Sequence, residues 1–189
     1  MQLAQFWKII DDARSAVVDS PDERDDFLVR MEESLLELEP SEVASFQTHL
    51  SEQFNRTFHW DVIAAAAIIY GDKCDPLDID GFRAWLISRG EEFLTKTLQD
   101  VDSLGPLNLV PDDLYYYAFL SLPTDAYEEL SGDEIPAEAT PPAPGEPAST
   151  IMRCIFSTII YPLAELIIAG LAKDMENSAS RLFPTHAAF

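Results

Sequence analysis

His59-Trp60-Asp61 sets an imidazole and a carboxylate two positions apart, and Arg83 follows in the next apolar block. An imidazole beside a carboxylate has the makings of a general base. A guanidinium offers a planar clamp for a carboxylate or phosphate anion. His59, Asp61 and Arg83 are therefore the candidate catalytic set, for an enzyme of unrecognised type with its site at the mouth of a helical hairpin. Each also has a plainer reading. Neighbours on a helix do not face each other, an Asp at a helix start is ordinary capping and dipole complement, and no nucleophile motif accompanies the pair. A lone Arg in an acidic chain reads as the structural partner of a carboxylate, Asp61 or Asp80.

Asp72, Asp75, Asp78 and Asp80 form an acidic turn whose carboxylate oxygens suit a hard cation. The spacing is not that of an EF-hand loop, since only Gly81 and the alternation of Asp78 and Asp80 resemble it. Asp is also a good turn and cap residue, so no resident metal and no cofactor are expected. Tyr115, Tyr116, Tyr117 and Phe119 offer an aromatic recognition patch, although at helical spacing at least two of them belong in the core. The chain has no Gly-rich phosphate loop, no His/Cys metal pattern and no basic–aromatic surface for nucleic acid.

The elements that must position these groups read as helices throughout. Leu3, Phe6, Ile10, Ala13 and Val17 mark a first helix over residues 3–17. Ser20-Pro21-Asp22-Glu23 reads as a helix start. Phe27, Leu28, Met31, Leu35 and Leu38 make the next stripe, which Pro40 ends. Ser41 caps a third helix with Val43, Phe46, Leu50 and Phe54 facing inward. From Trp60 to Tyr70 the chain is apolar nearly all round, with four alanines at 64–67. That pattern predicts a buried helix, ended by Gly71. An amphipathic second arm carries Phe82, Trp85 and Leu86 to Gly90, and a short helix follows over 91–98. Pro111 opens a helix through Phe119, Pro123 interrupts it, and Gly132 ends the turn after it. No window alternates as a strand does. The expected fold is all-α: a compact helical domain, residues 1–132, built around a buried helical hairpin.

The hairpin residues resemble a bacterial family of unknown function, the domain numbered 4240. The likeness rests on Trp60-Asp61, Ala66 to Ile69, Gly71 and Cys74, and above all Phe-Arg-Ala-Trp-Leu-Ile-Ser-x-Gly at 82–90. Phe6-Trp7 through Arg14, residues 100–104 and residues 127–135 are also similar. The likeness runs over about residues 5–140 and departs from the family at Pro76-Leu77-Asp78 and again after about residue 148. It implies a shared helical fold and a domain boundary, and brings no activity with it.

Charge narrows the partners. All of the net charge of −22 lies in residues 1–147, and between Lys96 and Arg153 eleven acids meet no base. Such a field repels nucleic acid and anionic membranes and attracts basic proteins. The first functional expectation is a non-enzymatic interaction or regulatory module that shows an acidic face to a basic partner. An acidic mimic of nucleic acid is a weaker alternative, because no two phosphate-like rows of acids are visible. With no signal peptide pattern and with Cys74 and Cys154 lacking a redox or metal spacing, the cytoplasm is the expected setting.

Residues 133–149 hold five prolines and read as a mobile linker. After them, residues 150–189 form an apolar helical tail. Its run 154–172 has Glu165 as its one charge, with Pro162 in mid-run. Docking or self-association is expected of that run. A membrane anchor is the alternative, disfavoured because a carboxylate at mid-bilayer costs about 3 kcal/mol.

Overall fold

The structure is a computed structural model that describes residues 1–18, 20–71, 74–107 and 109–139. Asp72, Cys154, the linker beyond residue 139 and the run 154–172 lie outside the described residues. Among the described residues there are seven α-helices and no strand: α1 (Leu3–Ser15), α2 (Glu23–Leu36), α3 (Pro40–Arg56), α4 (Trp60–Tyr70), α5 (Pro76–Ser88), α6 (Glu91–Gln99) and α7 (Leu122–Ser131). None of these helices is long and apolar enough to cross a membrane.

The apolar stripes fold as their spacing dictates. Phe6, Ile10 and Ala13 of α1, Phe27, Met31 and Leu35 of α2, and Val43, Phe46 and Leu50 of α3 are all buried. Phe6 packs on Phe46 with ring centroids 4.7 Å apart, joining α1 to α3. Phe27 meets Phe119 edge-on at 5.5 Å, joining α2 to the segment before α7. Helix α7 lies against α2 and α3, while α5 touches α1, α3, α4 and α6. The α4–α5 hairpin forms, and the chain turns tightly between later elements at Gly90 and Gly132, both with positive φ.

Several local expectations are corrected. The first arm of the hairpin is not the buried one. Helix α4 turns Val62, Ile63, Ala66 and Ala67 inward, but Trp60 is 56% and Ile68 80% exposed. Every residue from 81 to 88 on α5 is buried instead. A uniformly apolar sequence cannot say which of its faces is covered; the polar Arg83 and Ser88 of α5 are buried because each finds internal partners.

The prolines also act differently. Helix α2 begins at Glu23 after Asp22, and Ser20 instead accepts a bond from the Asp22 amide and donates to Asp26. Helix α3 is capped by Glu39, in a capping box with Glu42, with Pro40 in its first turn, so Ser41 is not the cap. Pro123 likewise sits in the first turn of α7 rather than interrupting a helix. The expected helix from Pro111 to Phe119 is two 3-10 turns, Pro111–Leu114 and Tyr117–Leu120. Ala137–Ala139, inside the stretch read as linker, forms a 3-10 turn against α3.

Candidate functional site

Arg83 is the most heavily partnered side chain near the hairpin. It reaches from α5 to the end of α3, where Nε donates to Thr57 Oγ1 at 3.0 Å and Nη2 to the Phe54 carbonyl at 2.7 Å. Nη1 donates to Asp80 Oδ1 at 2.7 Å, one turn back on its own helix. Phe54 stacks below the guanidinium at 3.6 Å, and Phe58 stands 5.2 Å away. Burial pulls its pKa down and Asp80 pushes it back up. Each nitrogen of the fork thus donates to the protein itself, and the side chain is only 5% exposed. Of the two carboxylates that sequence offers as its partner, Asp80 is the one.

His59 and Asp61 are placed apart from that cluster. His59 is the residue before α4, with its backbone N–H donating to the Thr57 carbonyl, and its side chain caps nothing. Asp61 sits in the first turn of α4, in favourable register with the helix dipole. Both are exposed, and among the described residues neither side chain has a hydrogen-bond or ion-pair partner. The structure therefore joins Arg83 to Asp80, and not to His59 or Asp61.

The acidic turn is similarly engaged in holding the backbone. Asp75 accepts from the amides of Leu77 and Asp78 at 2.7 and 2.9 Å, and Asp78 accepts from the Asp75 amide at 2.9 Å. This reciprocal pair caps α5, with Pro76 in the first turn. Asp80 holds Arg83. Among the described residues no three His, Cys, Asp or Glu side chains gather as a metal site. Beside the turn, burial first and then Asp78 and Asp75 push the Cys74 thiol up to about 12. A thiol held protonated in this way is not a thiolate nucleophile.

Of the aromatic patch, Tyr116 and Phe119 are buried, while Tyr115 and Tyr117 are exposed and stacked with centroids 6.2 Å apart. The buried Tyr116 phenol is pushed up to about 12, by burial first and then by Glu23.

Two clefts escape a reading of the sequence. One, of about 580 Å³, lies between the start of α2, the end of α5, Leu107 and residues 109–116. An ion pair lines it, Arg89 Nη1 to Glu23 Oε1 at 2.6 Å, with the Arg89 guanidinium over the Trp85 ring at 6.0 Å. The other is a groove of about 510 Å³ between the outer face of α4 and residues 101–107 and 109. Ala64, Ile68, Leu104 and Leu107 line it, with Asp61 on one wall and Asp102 on the other. Neither is lined by His59 or Arg83. With Val62, Ile63 and Ala66 facing inward in the structure, Ala64 and Ile68 must face outward.

A family model described as protein of unknown function, DUF4240, matches residues 1–129. The chain belongs to this family. No curated protein and no solved structure matches it. The DUF4240 match spans α1 to α6 whole and most of α7, ending just before the Gly132 turn. The block at 82–90 on which the likeness to DUF4240 chiefly rests falls mostly on α5, whose residues 81–88 are the longest unbroken buried run among the described residues. Its Phe82 and Trp85 stack at 5.6 Å and its Arg83 is held internally, so those motif residues serve packing here.

Proposed function

We propose that this DUF4240 chain is a non-enzymatic interaction or regulatory module that presents an acidic face to a basic partner protein. One observation carries the reading. Among the described residues the arginines are engaged within the chain: Arg14 with Asp11, Arg24 with Asp25, Arg30 with Glu33, Arg83 with Asp80, Arg89 with Glu23, and Arg56 with the Gln53 amide oxygen. Lys8 is paired with Asp12 in the same way. Apart from the buried Arg83 pair these are exposed pairs that add little stability, but each neutralises a cation locally; Lys96 stays exposed without a side-chain partner among the described residues, and the surplus of carboxylates sets the surface field.

The alternative, an enzyme working through His59, Asp61 and Arg83, has less support, because Arg83 is buried and each of its nitrogens donates to a group of the chain itself. The test is capture from a lysate of the source cell on the immobilised full chain, at about 0.05 M and about 0.5 M salt, where the screening length falls severalfold. Basic proteins should be retained at low salt and released at high salt. A retained set no more basic than the lysate, or indifferent to salt, refutes the proposal. Loss of a cellular activity in His59→Ala with the fold intact would transfer the assignment to the enzyme.

A further inference from the structure

The groove on α4 narrows the form of that partner, an inference that rests on the interaction reading above. Helices of water-facing proteins seldom turn a continuous apolar stripe to solvent without a use for it. Here Trp60, Ala64 and Ile68 follow one another at a spacing of four on the outer face of α4, and Leu107 is exposed across from them. The floor is built from small and branched apolar side chains, so another helix can approach closely. The walls are a helix and a 3-10 turn, with no strand edge among the described residues to which an extended peptide could add. Each wall carries one exposed carboxylate, Asp61 and Asp102; among the described residues neither has a side-chain partner and no base lines the groove.

We propose that this groove seats an amphipathic helix of the partner, with an apolar stripe on its inner face and Lys or Arg flanking that stripe on both sides. The eleven residues of α4 make a helix of about 16 Å, so about three turns of the partner would be read. Charge argues against a second copy of this chain as occupant, since two such acidic surfaces repel.

The test titrates the full chain by calorimetry with a three-turn synthetic peptide that has leucine on one face and lysine elsewhere. A Leu/Glu peptide and a Ser/Lys peptide of the same length are the controls. The Leu/Lys peptide should bind, and both controls should bind at least about tenfold more weakly. The decisive variant is Ile68→Glu, which adds negative charge while removing the apolar floor at a site 80% exposed. Seating in the groove predicts at least about a tenfold loss of affinity for the Leu/Lys peptide, with circular dichroism and unfolding midpoint unchanged. Unchanged or tighter binding by Ile68→Glu means bare charge attraction, which overturns the groove and leaves the acidic-face reading standing. Failure of both lysine peptides to bind overturns both. Concentration-dependent dimerisation of the full chain that Ile68→Glu abolishes would assign the groove to a second copy and overturn the proposal.

Discussion

The guanidinium carbon of Arg83 lies 3.6 Å from the centre of the Phe54 ring, while Nη2 of the same group donates to the carbonyl of Phe54. One residue thus supplies both the apolar floor and an acceptor for a buried charge. Because Thr57 and Asp80 accept from the other two nitrogens, the contact locks α5 onto the end of α3. Its consequences are structural before they are chemical.

Arg83→Ala should cost about 2–5 kcal/mol, since it strands the Phe54 carbonyl and the Thr57 hydroxyl and takes the partner from Asp80. Arg83→Lys should recover only part of this, because an ammonium cannot span three acceptors in one plane. Denaturant unfolding of the two variants checks the order. A lysine variant as stable as the parent would show that charge alone, without the fork, holds the joint.

Trp85→Ala should destabilise by about 3–5 kcal/mol. The ring is 6% exposed, stacked on Phe82 and met edge-on by Phe93 at 5.5 Å. Trp60→Ala, on the outer face of α4, should change stability by less than about 0.5 kcal/mol, as exposed substitutions usually do. Comparable losses in the two variants would contradict the inside–outside assignment of the hairpin arms.

That assignment marks where the sequence is legible and where it is not. Helix stripes such as Phe27, Met31 and Leu35 are readable because one face is apolar and the other charged. Helix α4 has no such contrast, so its orientation depends on neighbours that lie far away in sequence. The same holds for Arg83. Its type suggests a carboxylate partner, and Asp80 supplies one, but Phe54 and Thr57 are more than twenty residues upstream. The acidic turn was legible as capping chemistry, since Asp75 and Asp78 stand three residues apart around Pro76. Prolines misled at Pro40 and Pro123 because a residue that stops one helix is equally fit to start the next.

Gly90→Ala tests a joint that the sequence marks but does not explain. Gly90 has φ +92°, its amide donates to the Ile87 carbonyl closing α5, and its carbonyl accepts from Leu94 to open α6. A Cβ there would stand 2.5 Å from Asp11 Oδ1, the oxygen that pairs with Arg14. The backbone strain alone is worth about 1–3 kcal/mol, and the Asp11 side chain must also move. Gly132→Ala, with φ +74° and open space around it, should cost less, about 1 kcal/mol. Thermal unfolding orders the two, and equal losses would mean that the Asp11 contact contributes nothing.

Tyr116→Phe should change how stability depends on alkaline pH. The phenol is 3% exposed, and burial, reinforced by Glu23, raises its pKa from 10.0 to about 12. The folded chain therefore keeps a proton that the unfolded chain releases first. The stability linked to this proton is fully present below pH 10 and is lost as pH rises from 10 towards 12, at about 1.4 kcal/mol per pH unit. Tyr70, held above the ordinary phenol range by its own burial and by Asp78, acts in the same direction. The measurement is therefore the difference between parent and variant in denaturant unfolding at a series of pH values. The parent should lose stability faster than Tyr116→Phe across this window, and parallel curves would place the Tyr116 phenol in contact with water.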